Sequence, residues 1–211
     1  MKDARPKGKA AWLYPGRALS AVWQKEFAMT TLLGLCGALR AASTNRLLMA
    51  EAARVFAPDD FVAADLDLPL YDGDVEARGI PAGVERLAAQ LRAADAIIIA
   101  TPEYNKALSG VLKNALDWSS RVKPGGVWRD KPVAIMSATG GRAGGERAQF
   151  SLRLCLTAFR PLVLSGPEVL IGNSDQAFNT DGRLTDPRYQ KALAELMADL
   201  RRAAGGDAGG G

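Results

Sequence analysis

From Met29 onward, short apolar runs alternate with segments of helical spacing. "TTLLGLCG" (30–37) is a continuous apolar run, and "STNRLLMAEAARVF" (43–56) follows with apolar residues three and four apart. "FVAADL" (61–66) predicts a second strand, and the acidic stretch "DLPLYDGDVEARGIP" after it reads as irregular. A helical pattern covers about 82–93, and "AIIIAT" (96–101) is the clearest strand. Leu108, Val111, Leu112, Ala115 and Leu116 then mark one buried helix face. "PVAIMSA" (132–138) predicts a fourth strand and "GERAQFSLRLCLTAF" (145–159) a helix. "LVLSGPEVLIG" (162–172) predicts a fifth strand, broken near Gly166-Pro167. A last helix opens on Asp186 as N-cap with Pro187 at its first position and runs to about Arg202.

Strands without polar alternation belong to a parallel sheet covered on both faces. Five β/α repeats predict a three-layer, doubly wound α/β fold with a five-stranded parallel sheet. The folded domain spans residues 29–203. Residues 1–28 show no periodicity and read as a disordered or peripheral extension, and glycine-rich 204–211 as a disordered tail.

Composition narrows the chemistry. With 48% hydrophobic and 24% charged residues the chain has the balance of a soluble globular protein. No apolar run approaches the roughly 20 residues of a membrane span. The opening stretch lacks the compact apolar centre of a signal peptide, so the chain reads as cytoplasmic. The formal net charge of +4 belongs to residues 1–28, since the remainder balances, and speaks against a nucleic-acid partner. Cys36 and Cys155 are far apart and form no CxxC. Histidine is absent, which removes hydrolase triads of the usual kind, histidine general bases and most zinc or iron chemistry. No side chain is assigned as catalytic and no metal is expected; a bound cofactor must carry any redox step.

Ligands of open α/β sheets bind beyond the carboxyl ends of the strands, and three unusual loops fall on that edge. "GALRAASTN" offers Ser43, Thr44 and Asn45 as helix-capping residues and Arg40 as a permanent cation, which suits a phosphate. An ordinary N-cap beside a solvated arginine fits that loop as well. "ATGGRAGGE" exposes backbone N–H groups that can meet the carbonyl edge of a planar ligand, though a ligand-free glycine loop reads the same. No GxGxxG follows the first strand, so a mononucleotide fits better than tightly held NAD. In "TPEYN", Pro102 stiffens the turn, Tyr104 gives a flat face, and Glu103 and Asn105 supply polar atoms for a heteroaromatic ring. Tyr104 covering the sheet end beside a solvated Glu103 is the alternative.

"TPEYNKALSGVLKNALDWSSR" resembles the "PEYN…GVLKNAIDW" segment of the NADPH-dependent FMN reductase family, which includes bacterial quinone and chromate reductases. "GALRAASTNRLLMAEAARVF" resembles its phosphate loop, and "KPVAIMSATGGRAGGERAQFSLR" its "GG.RAQ" segment. The resemblance covers about residues 29–200 and implies a flavodoxin-like sheet in the order 2-1-3-4-5. It implies non-covalent FMN, with Arg40, Ser43 and Asn45 on the phosphate. Pro102, Glu103, Tyr104 and Asn105 would line the isoalloxazine, with Thr139 and Gly141 near its carbonyl edge. NADPH or NADH would give a hydride to the flavin and a quinone would take two electrons; chromate, nitro- or azo-compounds are further acceptors. Members form homodimers or homotetramers. Three positions depart from the family: Ala38 stands where a serine is usual, Lys106 where a small residue or glycine is common, and Phe150 where tyrosine is common. The alternatives are an electron carrier of the flavodoxin type, without direct NAD(P)H turnover, and a cofactor-free descendant of the fold.

Overall fold

A computed structural model describes residues 30–205. The expectations for residues 1–28 and for most of the glycine-rich tail lie outside the described residues. Six strands, β1 (Thr31–Cys36), β2 (Asp60–Ala63), β3 (Ala96–Thr101), β4 (Pro132–Ala138), β5 (Leu162–Val163) and β6 (Val169–Ile171), form one parallel sheet. Its order is β2-β1-β3-β4-β5, with β6 also on β4, the order that the family resemblance implies. The helices are α1 (Thr44–Phe56), α2 (Gly73–Arg78), α3 (Ala82–Ala93), α4 (Gly110–Ser119), α5 (Glu146–Leu156) and α6 (Pro187–Ala203).

The apolar runs divide by the two-residue period of a strand. Leu32, Cys36, Ile98, Ala100 and Met136 pack against Leu48, Ala52 and Phe56 of α1 and Leu193, Leu196 and Leu200 of α6. Their sequence neighbours Leu33, Leu35, Ile97, Ile99, Val133 and Ile135 pack on the opposite face against α3, α4 and α5. Every residue of β3 and β4 is buried, because helices cover both faces and no polar alternation is needed.

Helix starts follow their caps. The Ser43 hydroxyl accepts from the Asn45 N–H, Ser109 from Leu112, and Asp186 from Arg188 with Pro187 at the first helical position. The structure differs from the sequence expectation in four places. The second strand is shorter and mostly exposed, as an edge strand can be. The stretch read as irregular contains α2, capped by Asp72. Six residues with no buried face give no periodic signal, and the Glu76–Arg121 ion pair at 2.9 Å ties this helix to the end of α4. The predicted fifth strand is two short strands, β5 and β6, which pair with opposite ends of β4. The helix predicted to 159 ends at Leu156 in a 3₁₀ turn, Thr157–Phe159.

Strand order reverses between β1 and β3, which places the crevice of such a sheet at their carboxyl ends. Gly37, at the exit of β1, lets the chain press close there: a Cβ on it would lie 2.8 Å from the Ser109 hydroxyl and 3.1 Å from that of Thr101.

Candidate functional site at the carboxyl edge of the sheet

The first wall is the loop from β1 into α1. Ser43 is buried as the N-cap. Neither Arg40, Ala41, Ala42 nor Thr44 has its backbone N–H bonded to another described residue, so the loop offers donors at the positive end of a helix dipole. Arg46 steadies it from outside, donating to the carbonyls of Arg40 and Leu39 at 3.2 Å each. The Asn45 side chain is 2% exposed and fully engaged: Nδ2 donates to the Ala138 carbonyl at 2.8 Å and Oδ1 accepts from the Ala138 N–H at 3.0 Å. β3 ends opposite Ser137, one residue short of Ala138, and the Asn45 amide supplies a donor and an acceptor there. Its place in the site is to lock α1 to the exit of β4.

The second wall is the loop after β3. Tyr104 and Ala107 exchange both backbone hydrogen bonds at 3.1 Å, closing a two-residue turn over Asn105 (φ 51°) and Lys106 (φ 68°). Left-handed φ at both central residues is the signature of a type I′ turn, where asparagine is favoured first and glycine second. Lys106 occupies the glycine position. The turn sets Tyr104 outward, 57% exposed, while Glu103 points back. The Glu103 Oε2 accepts from the N–H groups of Arg147 and Ala148 at 3.1 and 3.4 Å, and Oε1 lies 3.7 Å from the Arg147 guanidinium. Gly145 at the N-cap of α5 has no side chain to give, so Glu103 caps that helix from 44 residues away.

The third wall is the loop from β4 into α5. The Ser137 hydroxyl donates to the Gly144 carbonyl at 2.6 Å and accepts from Gln149 Nε2 at 2.9 Å. Thr139 pairs with Ile171 and Ser174 through its backbone, and the Gly141 carbonyl accepts from the Asn173 N–H at 3.3 Å. The N–H groups of Gly140, Gly141, Arg142 and Ala143 bond to no other described residue. The Thr44 hydroxyl donates to Ser174 Oγ at 3.0 Å, which joins this wall to the first.

These walls enclose two adjoining clefts. One, of about 320 Å³, is lined by Arg40, Ser43, Thr44, Asn45, Pro102, Glu103, Tyr104 and Thr139, with Gly140, Ser174 and Asp175 opposite. The other, of about 560 Å³, shares Glu103 and Thr139 and adds Gly141, Arg142, Ala143, Gly145 and Arg147. Eight of the nine residues picked from the sequence therefore line this pair of clefts. Asn105 lines neither; it shapes the turn. Thr44, offered by the sequence only as a possible helix cap, lines the smaller cleft too, and Ser174, Asp175, Arg142 and Arg147 join the walls without any expectation from the sequence. Ser174 and Asp175 lie in a short 3₁₀ turn after β6 that carries no motif, Arg142 sits inside the glycine-rich loop, and Arg147 is the second residue of α5.

The donors match an amphiphilic mononucleotide. Free N–H groups and Arg40 form an anion-accepting end, exposed Tyr104 an aromatic face, and the N–H row at 140–143 an edge for ring carbonyls. The cleft volumes fall in the usual range for small-molecule sites. Buried Cys36 takes no part: burial pushes its thiol up, and its S–H donates to the Ala38 carbonyl at 3.5 Å, so it stays neutral.

The model of the NADPH-dependent FMN reductase family matches residues 30–176. An NAD(P)H-dependent FMN reductase of Pseudomonas aeruginosa is 43% identical over 172 residues, covering 81% of this chain and 92% of its own. A quinone reductase of Escherichia coli (strain K12) is 41% identical over 143 residues, 65% of this chain and 75% of its own. Among solved structures, the flavoenzyme NAD(P)H:(acceptor) oxidoreductase FerB of Paracoccus denitrificans superposes with a TM-score of 0.76 at 30% identity, covering 83% of this chain and 97% of that one.

Proposed function

This chain belongs to the NADPH-dependent FMN reductase family, and from that premise we propose that it is an FMN-dependent NAD(P)H oxidoreductase whose acceptors are quinones. The observation that carries the reading is the meeting of three strand-exit loops in two contiguous clefts, with an anion-accepting end and a row of free N–H groups. When bound, FMN would supply the redox chemistry, a two-electron, hydride-level exchange between NAD(P)H and the acceptor.

The protein's share is positional. Arg40, the N–H groups of residues 40–42 and the start of α1 hold the phosphate. Ser43 and Asn45 keep that loop in shape. Pro102 and Tyr104 bound the ring on one side, and the N–H groups of Gly140 to Ala143 face its polar edge. Glu103 locks the two ring-lining loops together through α5. None of these groups has to gain or lose a proton for electrons to pass, in keeping with a chain that has no histidine. The clefts open to solvent, which lets donor and acceptor use the same face in turn and gives ping-pong kinetics. Chromate, nitro- and azo-compounds are further candidate acceptors.

The chain works as a homodimer or homotetramer. Phe150 and Leu154, 57% and 73% exposed one turn apart on α5, support that assembly. The flavin-binding unit is residues 29–203; a chain begun at Met29 keeps its flavin.

A visible spectrum of the purified protein, before and after anaerobic NADPH, tests the reading. Oxidised-flavin absorbance that bleaches on mixing and returns with a quinone is expected. A colourless protein that refuses FMN overturns it, and a flavoprotein that NAD(P)H does not bleach is a carrier instead.

A further inference from the structure

The larger cleft carries a charge that flavin binding does not use. Its walls hold two guanidinium groups, Arg142 and Arg147, and one carboxylate, Glu103. Glu103 Oε2 accepts from the N–H groups that open α5, and Oε1 faces the Arg147 guanidinium at 3.7 Å. Arg142 has no ion-pair partner among the described residues. The cleft's one carboxylate is thus balanced by Arg147, and Arg142 is left as an uncompensated cation.

The backbone beneath that cation is fixed. Gly144 has φ +64°, and a Cβ on it would lie 2.6 Å from the backbone of Leu170. Gly172 abuts the Arg142 carbonyl, with a hypothetical Cβ at 2.6 Å. Asn173 donates its N–H to Gly141. The loop is thus pressed onto the end of β6 from two sides, and only the Arg142 side chain must be ordered when it meets a ligand, which keeps the entropic cost low.

We infer that Arg142 recognises the 2′-phosphate of NADPH and makes this enzyme prefer NADPH to NADH. The inference rests on the flavin reading above. With the nicotinamide at the flavin, the rest of the dinucleotide runs past the loop whose N–H groups face the ring, and Arg142 is that loop's unpaired cation. The two nucleotides differ at the adenosine ribose: a free 2′-hydroxyl suits a carboxylate acceptor, whereas a 2′-phosphate suits a guanidinium fork. Glu103 is anchored on α5 through Oε2, with Oε1 facing the Arg147 guanidinium at 3.7 Å, whereas the Arg142 guanidinium donates to no other described residue and has all its donors available to a phosphate. Arg147, already drawn to Glu103, is the weaker second contact.

The test compares wild type with Arg142→Ala and Arg142→Lys, using a neutral quinone as acceptor. Charge-assisted contacts of this kind correspond to about 10- to 100-fold in affinity. The NADPH-over-NADH ratio of kcat/KM falls by about that factor in Arg142→Ala, through the KM for NADPH, and partly recovers in Arg142→Lys. Direct binding gives a second readout: adenosine 2′,5′-bisphosphate competes with NADPH in wild type and loses affinity by the same factor in Arg142→Ala, while 5′-AMP does not. Equal changes for NADPH and NADH, an unchanged ratio, or a rise in the KM of the quinone each overturn the inference. Flavin content and bleaching by NADH report separately on the flavin reading, so a variant that stays yellow with an unaltered ratio sinks the role of Arg142 alone.

Discussion

Replacing Asn45 with alanine separates two accounts of the phosphate loop. The family resemblance implies Asn45 as a ligand of the phosphate, whereas the structure commits both ends of its amide to Ala138, at 2.8 and 3.0 Å. Ala138 is 1% exposed, so truncation strands a buried N–H and a buried carbonyl. Each stranded group costs about 1–3 kcal/mol, and water entering the vacated space recovers part of it. A net loss of about 3 kcal/mol follows, which is a large fraction of the 5–15 kcal/mol typical of a domain. For a domain of this size that lowers Tm by about 6–12 °C. The assay is thermal or urea unfolding of flavin-free protein, paired with the relative affinities for FMN and riboflavin. The clamp account requires the full loss of stability without flavin and an FMN-over-riboflavin preference that survives well below Tm. Asn45→Asp should fare no better, because it keeps an acceptor, loses the donor and buries a charge. An unaltered apo-protein with a collapsed FMN preference would refute this reasoning and restore the ligand account.

Three further predictions use other features of the same edge. Tyr104 is more than half exposed and its backbone, not its ring, closes the turn, so Tyr104→Ala should leave apo-stability within about 0.5 kcal/mol. It should weaken FMN by about 2- to 12-fold, the size of one aromatic contact; a large stability loss without an effect on flavin would contradict it. Lys106→Gly removes a side chain from a residue at φ 68° and should raise stability by about 0.5–1 kcal/mol in urea unfolding, with destabilisation as the contrary result. The Glu76 carboxyl is held below the usual range by its hydrogen bonds from Arg121 and Tyr71, and that of Asp186 by Arg188. Groups with depressed folded values stabilise while ionised, so unfolding free energy should be level between about pH 5.5 and 8 and fall as pH drops through and below about 4. Glu76→Gln should flatten that acid limb, and a rise in stability on acidification would show the sign to be wrong.

Much of this architecture was legible in the chain. Apolar runs without polar alternation announced a sheet covered on both faces. Asp186-Pro187 fixed one helix start to the residue, "STN" placed another within three, and the glycine and "PEYN" stretches marked the candidate functional edge. α2 escaped because six exposed residues leave no periodicity, and the two-part fifth strand escaped because a single apolar run cannot say where its pairing with β4 lapses. Local signals of this kind are encoded within one or two turns of the chain, where backbone geometry and neighbouring side chains decide the outcome. Partner choice over longer spans is different. Asn45 could have faced a ligand as readily as a backbone, and Glu103 could have met solvent as readily as a helix end. Each was assigned by what the closed sheet brought within 3 Å or so, 93 and 44 residues away in the chain. A side-chain amide or carboxylate carries no record of its partner; only the packed fold leaves it one group to satisfy and no water to take its place.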